Sequence, residues 1–176
     1  RTNPNILITG TPGTGKTTHT QQLVQRSSHQ RLNLTPINIA DFAKQNDCYE
    51  SYDEEWESWI VDEDRLLDSL EPIMSSELGG VILDWHCSEI FPERWIDLVV
   101  VLRTDHQELW KRLESRNYSL RKIQENNQAE IMNECLDEAM ENYEIEQVVE
   151  LQSGDLSCLE KNVERILRWI EDWKND

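Results

Sequence analysis

The chain of 176 residues predicts a single α/β domain: a five-stranded parallel sheet covered by helices on both faces. Three observations carry that prediction. Apolar runs alternate with helical stretches along the chain, the order that parallel strands joined by crossover helices require. The runs are short and continuous in Val, Ile and Leu, as strands buried on both faces are. The first run, Ile6-Leu7-Ile8, leads directly into Gly10-Thr-Pro-Gly-Thr-Gly-Lys16-Thr17 and then a helical stretch over residues 17–25.

That last arrangement is a complete phosphate-binding loop in the context it needs, strand before and helix after. The glycines let backbone N–H groups curl around phosphate oxygens, and the helix adds the positive end of its dipole. Gly13, Thr14, Gly15, Lys16, Thr17 and Thr18 are the expected contacts to ATP or ADP. Lys16 reaches the β- and γ-phosphates, and the Thr17 hydroxyl holds Mg²⁺. The fold class that follows is a P-loop NTPase.

Residues 5–9 form the first candidate strand, and residues 36–39 the second. The third, 81–83, closes on Asp84, which places a carboxylate at the strand's C-terminal end beside the loop, where it holds Mg²⁺. His86 lies just beyond, at the crevice of an open α/β sheet. A neutral imidazole there either orients an attacking water or is held locally for structure, and the residues alone leave both open. The fourth strand, 98–102, is followed by Arg103, and Asp105 with Glu108 reads as a capped helix start. Phosphoryl transfer needs cations on the migrating group. Arg112 and Arg116 share a helix face at i, i+4 spacing. Arg116 leads into a hinge at Asn117 and is the favoured candidate, whereas Arg103 and Arg112 stay undecided. The fifth strand, 148–151, precedes a second capped start at Ser157 and Glu160. In the last helix Leu159, Val163, Ile166, Leu167, Ile170 and Trp173 recur on one face, with Trp169 nearby, and are expected in the core.

The net charge is −18, from 35 acidic and 17 basic residues. A field of that sign repels duplex nucleic acid and lipid headgroups and attracts a basic protein, although solubility alone accounts for it equally. Residues 47–71 hold eleven acidic side chains against Arg65 alone, and residues 130–150 hold eight and no basic ones. Both segments read as solvated faces or as a docking surface for a cationic partner. The four cysteines, Cys48, Cys87, Cys135 and Cys158, are widely spaced, which predicts neither zinc site nor disulfide framework and a reducing intracellular setting.

Several of these stretches together resemble the adenylate kinase isoenzyme 6 family, the coilin-interacting nuclear ATPase of animals and its fungal ribosome-assembly counterpart. They are residues 10–18, Ile39-Ala-Asp-Phe-Ala43, Tyr52-Asp-Glu54, Ile60-Val-Asp-Glu-Asp64, Asp84-Trp-His86, Phe91-Pro-Glu-Arg-Trp95, Val101-Leu-Arg-Thr104 and Leu113-Glu-Ser-Arg116. The resemblance spans nearly the whole chain and is closest to fungal members. It implies an adenylate-kinase-like core with a nucleoside-monophosphate-binding arm at 39–71 and a short lid at about 113–126. It further implies phosphate transfer between ATP and AMP or a related monophosphate, together with ATP hydrolysis. Lys16 becomes the loop lysine, Asp84 and His86 the pair implicated in hydrolysis, and Arg116 the lid arginine. The implied setting is late maturation of the small ribosomal subunit and its pre-18S rRNA, in nucleus and cytoplasm. The implied partner is a platform ribosomal protein with a basic tail on the pre-40S particle. Two positions depart from the family pattern: Ser51 and Asn117 stand where glycine is usual. Asparagine tolerates left-handed backbone, so the lid turn is expected to survive; Ser51 puts the arm's geometry in question.

Two other functional classes compete with a metabolic kinase. One is a nucleotide-switched binding protein whose turnover times release of a basic partner. The other is a nucleoside kinase, for which Asp41 offers a base.

Overall fold

The computed structural model describes residues 1–176. Five strands form the parallel sheet: β1 (Ile6–Thr9), β2 (Thr35–Asn38), β5 (Val81–Asp84), β6 (Leu98–Arg103) and β7 (Val148–Gln152), in the spatial order β2-β5-β1-β6-β7. All five expected strands are present, displaced by at most one residue at either end. The helices are α1 (Lys16–Ser28), α2 (Ile39–Gln45), α3 (Glu63–Met74), α4 (His106–Ser115), α5 (Leu120–Ile131), α6 (Glu134–Asn142) and α7 (Leu156–Asn175).

The continuous apolar strands have the physical consequence expected of them. In β1, Leu7 faces a core of Leu83, Val99, Val101, Leu66 and Leu70, while Ile6 and Ile8 face Ile82, Val100, Leu102, Val163 and Ile166. Both faces of the central strand are therefore dry. The apolar stripe of α7 packs into the second of these cores, with Val163, Ile166, Leu167 and Ile170 buried and Leu159 and Trp169 against its edge.

Two helix starts differ from the sequence reading. α7 begins two residues early, because Asp155 rather than Ser157 caps it: its carboxylate accepts the Cys158 N–H at 2.9 Å. At α4, Asp105 is the N-cap residue but makes no side-chain cap. Glu108 turns instead to Arg112, 3.2 Å away one turn on.

Along the chain, α2, a two-stranded antiparallel hairpin of β3 (Tyr49–Asp53) and β4 (Ser58–Val61), and α3 connect β2 to its sheet neighbour β5. The hairpin was not among the expected strands. Its residues are largely exposed on both faces, so no apolar alternation marks it. Aromatic cross-strand contacts hold it: Trp59 packs against Tyr52 at 5.3 Å and Tyr49 at 5.5 Å between ring centroids. Ser51 lies in β3 where the pairing register slips between Tyr49 and Ser51. The extended chain there needs no glycine, since Ser51 is absent from the positive-φ residues.

Strand register positions the site. Asp84 pairs with Ile8 on one side and with Asn38 on the other, so Asn38 and Asp84 end level at the carboxyl edge of the sheet. The chain reverses direction of winding across β1, and the crevice opens above it.

Candidate functional site

The loop between β1 and α1 is shaped by glycines that nothing larger replaces. Gly13 has φ 95°, and a Cβ there meets Leu109 Cδ1 at 2.9 Å and Leu113 Cδ2 at 3.0 Å. Gly15, also at φ 95°, is the N-cap of α1 and supplies no side-chain cap, which leaves the first-turn N–H groups free for an anion. Thr14 closes the loop from inside, its hydroxyl donating to the Thr11 carbonyl at 2.8 Å. The Lys16 ammonium donates to the carbonyls of Gly10 at 2.9 Å and Thr11 at 3.3 Å. Burial lowers its pKa to about 8, Asp84 opposes that shift and Arg116 adds to it.

Thr17 and Asp84, the two expected Mg²⁺ ligands, are in direct contact: the Thr17 hydroxyl donates to Asp84 Oδ2 at 2.6 Å. Hydroxyl and carboxylate oxygens beside a phosphate cradle are a donor set that suits Mg²⁺, a hard cation that prefers oxygen and keeps several waters. A third residue joins them. Asn38 Nδ2 donates to the same Asp84 oxygen at 3.1 Å. Sequence reasoning missed Asn38, and the only available signal was its position as the polar residue closing a strand beside the Asp84 strand.

His86 lies across the opening from Lys16, with Trp85 tilted against its ring at 4.3 Å between centroids. Surrounding protein and the nearby Lys16 charge lower its pKa to about 4, although the residue is exposed at the mouth of the crevice. At neutral pH it is an uncharged acceptor and a weak base, better suited to orienting a water than to taking its proton.

The three arginines separate cleanly. Arg103 does not reach the crevice. It pairs with the buried Glu130 at 3.2 Å, with the Asn133 side chain at 2.6 Å and with Glu150 at 3.7 Å, holding α5 and α6 against the sheet. Arg112 is engaged with Glu108, with the Gly13 carbonyl at 3.2 Å and with the carbonyls of Ser153 and Gly154, so it ties the phosphate loop to the segment after β7. The Arg116 side chain has no partner, and it lines both cavities that flank the loop. The residue after it, Asn117, has φ 60°, the left-handed turn that asparagine was expected to tolerate.

One cavity, of about 360 Å³, lies over Gly15, Thr18, His19 and Arg116 and reaches Ser153 and Leu156. The other, of about 210 Å³, lies over Lys16, Thr17, Asn38, Asp84 and His86 and ends at Tyr118. The loop thus stands between two spaces, each bordered by Arg116. His19, a further residue not anticipated, is buried in α1 with Nδ1 against the Gly15 carbonyl at 2.8 Å and Nε2 against Asn162 Nδ2 at 3.2 Å. Since Asn162 donates, the ring carries its proton on Nδ1 and fixes the loop's last carbonyl.

The β3–β4 tip also touches the segment after Arg116. Glu57 accepts from the Ser119 hydroxyl, Lys122 Nζ donates to the Glu57 carbonyl at 3.1 Å, and the Arg121 guanidinium lies 5.5 Å over Trp56.

A family model described as an AAA domain matches residues 6–133. The chain is 51% identical over 173 residues to the adenylate kinase isoenzyme 6 homolog of Schizosaccharomyces pombe, covering 98% of this chain and 95% of that protein. The chain belongs to the adenylate kinase isoenzyme 6 family. The Saccharomyces cerevisiae homolog FAP7 is 49% identical, over 98% of this chain and 85% of its own. Among solved structures, shikimate kinase from Acinetobacter baumannii superposes with a TM-score of 0.59 at 16% identity, covering 99% of this chain and 96% of its own, a likeness of fold alone. The protein is therefore an adenylate-kinase-like P-loop NTPase of a nucleotide-binding kinase family. No helix is long and apolar enough to cross a membrane.

Proposed function

We propose that this protein is a Mg²⁺-dependent ATPase and ATP:AMP phosphotransferase serving maturation of the small ribosomal subunit, in nucleus and cytoplasm. The observation that carries the chemistry is the contact of Thr17 with Asp84 beneath Lys16, with an unpaired Arg116 and a neutral His86 facing the same space. Thr17 and Asp84 would hold Mg²⁺, which would supply charge neutralisation to the bound triphosphate. Lys16 and the free N–H groups of α1 bind and orient those phosphates. Residues 39–71 form the monophosphate arm and residues 113–126 the lid, which carries Arg116.

In transfer, a phosphate oxygen of AMP bonds to the γ-phosphorus, the bond from that phosphorus to the β–γ bridging oxygen breaks, and two ADP result. In hydrolysis, water takes AMP's place and phosphate leaves. His86 orients that water by accepting one of its hydrogen bonds. Contact of the arm tip with Ser119 and Lys122 narrows access of water, which favours transfer when AMP fills the arm.

A second reading, a nucleotide-switched chaperone for a basic ribosomal protein with little kinase role, draws on the acidic arm and on Arg116 as the sole unpaired arginine at the loop. The deciding experiment compares ATP turnover, and affinity for the basic partner in MgATP and MgADP, for the wild type and Lys16→Ala. The kinase reading expects turnover lost in the variant and partner affinity indifferent to nucleotide. A strong difference in partner affinity with negligible AMP-dependent turnover supports the switch.

A further inference from the structure

We infer that Asn38 is a positioning residue that sets the Asp84 carboxylate and the first turn of the arm with one side chain. Its two ends are engaged at once. Nδ2 donates to Asp84 Oδ2 at 3.1 Å and lies 3.5 Å from the Thr17 hydroxyl. Oδ1 accepts the Asp41 N–H at 3.0 Å and caps α2, the first helix of the excursion that carries the arm. The parallel register that pairs Asn38 with Asp84 fixes the distance between them.

Three consequences follow from the chemistry of an amide in this place. An amide carries its uncharged donor and acceptor on two separate atoms, so it can face Asp84 and the α2 N–H at once, and Asn rather than Gln is short enough to cap the helix it starts. Asp84 is 3% exposed, so its oxygens depend on protein donors for orientation, and Oδ2 has two, Thr17 and Asn38. When Thr17 turns toward a bound cation, Asn38 is the donor that remains, and it holds the carboxylate in place. Any displacement of Asp84 is transmitted through the same amide to the first turn of α2. The metal ligands and the acceptor arm thus share a single reference point.

The inference rests on the proposed role of Asp84 in holding Mg²⁺, and the test separates the two. Asn38→Ser keeps a capping oxygen and loses the reach to Asp84; Asn38→Ala loses both contacts. In the full chain, two quantities are measured: the Mg²⁺ concentration giving half of the ATP-dependent rise in melting temperature, and the melting temperature without ligand. Asn38→Ser is expected to melt within about 1 °C of the wild type yet need about tenfold more Mg²⁺, the scale of one hydrogen bond to a charged group. Asn38→Ala is expected to share that requirement and also to melt roughly 2–4 °C lower, the scale of a lost helix cap. Asn38→Asp retains the cap but cannot donate, and it too must depart from the wild-type Mg²⁺ requirement. A wild-type requirement in both the Ser and Asp variants reduces Asn38 to a helix cap and overturns the inference. Asp84→Asn serves as the reference: if it also leaves the Mg²⁺ requirement unchanged, the assignment of the metal site fails instead.

Discussion

The Lys16 ammonium is held against two loop carbonyls in a site whose burial lowers its pKa from 10.5 to about 8. Only the charged form attracts triphosphate, so ATP binding is linked to protonation of this amine. With a pKa near 8, about 90% of the free protein carries the charge at pH 7 and about 10% at pH 9. ATP affinity should therefore fall about tenfold between those values, or about 1.4 kcal/mol. At pH 9 binding should take up close to one proton. A lysine at its ordinary value would change affinity by only a few per cent over that range. The sign for stability is the reverse of the ligand effect. The folded pKa lies below the unfolded one, so the native state binds fewer protons between pH 8 and 10.5, and the ligand-free protein gains stability as pH rises through that window. Calorimetric titration of MgATP at pH 7, 8 and 9, in two buffers of different ionisation enthalpy, reads affinity and proton uptake together. Lys16→Arg, which cannot deprotonate, controls for titration of the nucleotide. Equal affinities at pH 7 and 9 with no proton uptake would refute the account of Lys16.

Replacing His86 with Ala should depress hydrolysis more than transfer to AMP, and equal losses of both activities would remove its role in orienting water. Because its pKa lies near 4 in the folded protein, wild-type hydrolysis should show no inflection at the ordinary histidine value and decline only as pH approaches 4, where the ring becomes charged and can no longer accept. Arg116→Ala should leave the ligand-free melting temperature unchanged, since the side chain has no partner, while lowering transfer by about 100-fold or more, the scale of one preorganised cation at a phosphoryl group. Arg112→Ala should instead lower the melting temperature, because it strands carbonyls of Gly13, Ser153 and Gly154; thermal melts of the two variants side by side test the distinction. Gly13→Ala should abolish the ATP-dependent rise in melting temperature, because its Cβ would press on the buried Leu109 and Leu113 from a backbone at φ 95°.

The sheet was legible because burial on both faces leaves a signature in sequence. Ile6-Leu7-Ile8 and the run into Asp84 could be read as strands, and the loop's spacing marked where the chain curls between β1 and α1. Structure brings Lys16, Thr17, Asp84, His86 and Arg116 together around one space, as the motifs implied. The β3–β4 hairpin was not legible, because a ribbon exposed on both faces has no inside to pattern, and its turn places Glu57 at φ 53° without a glycine to mark it. The sequence favoured Arg116 among the arginines but could not assign Arg103 or Arg112. Arg112 and Arg116 sit one turn apart on one helix face, and only the carbonyls around Gly13 and Gly154 show that one is engaged and the other free. Asn38 and His19 escaped notice for a related reason. Each acts through contacts to residues far along the chain, Asp84 in one case and Asn162 in the other, and no local spacing encodes such pairs.

The central claim is that one ATP, bound at this loop, has two fates decided by what occupies the arm. Counting free phosphate and ADP formed from MgATP, with and without AMP, tests it directly. The account predicts slow release of phosphate alone and, on addition of AMP, a much faster conversion of ATP and AMP into two ADP. Phosphate release that is indifferent to AMP, with no second ADP formed, would contradict it.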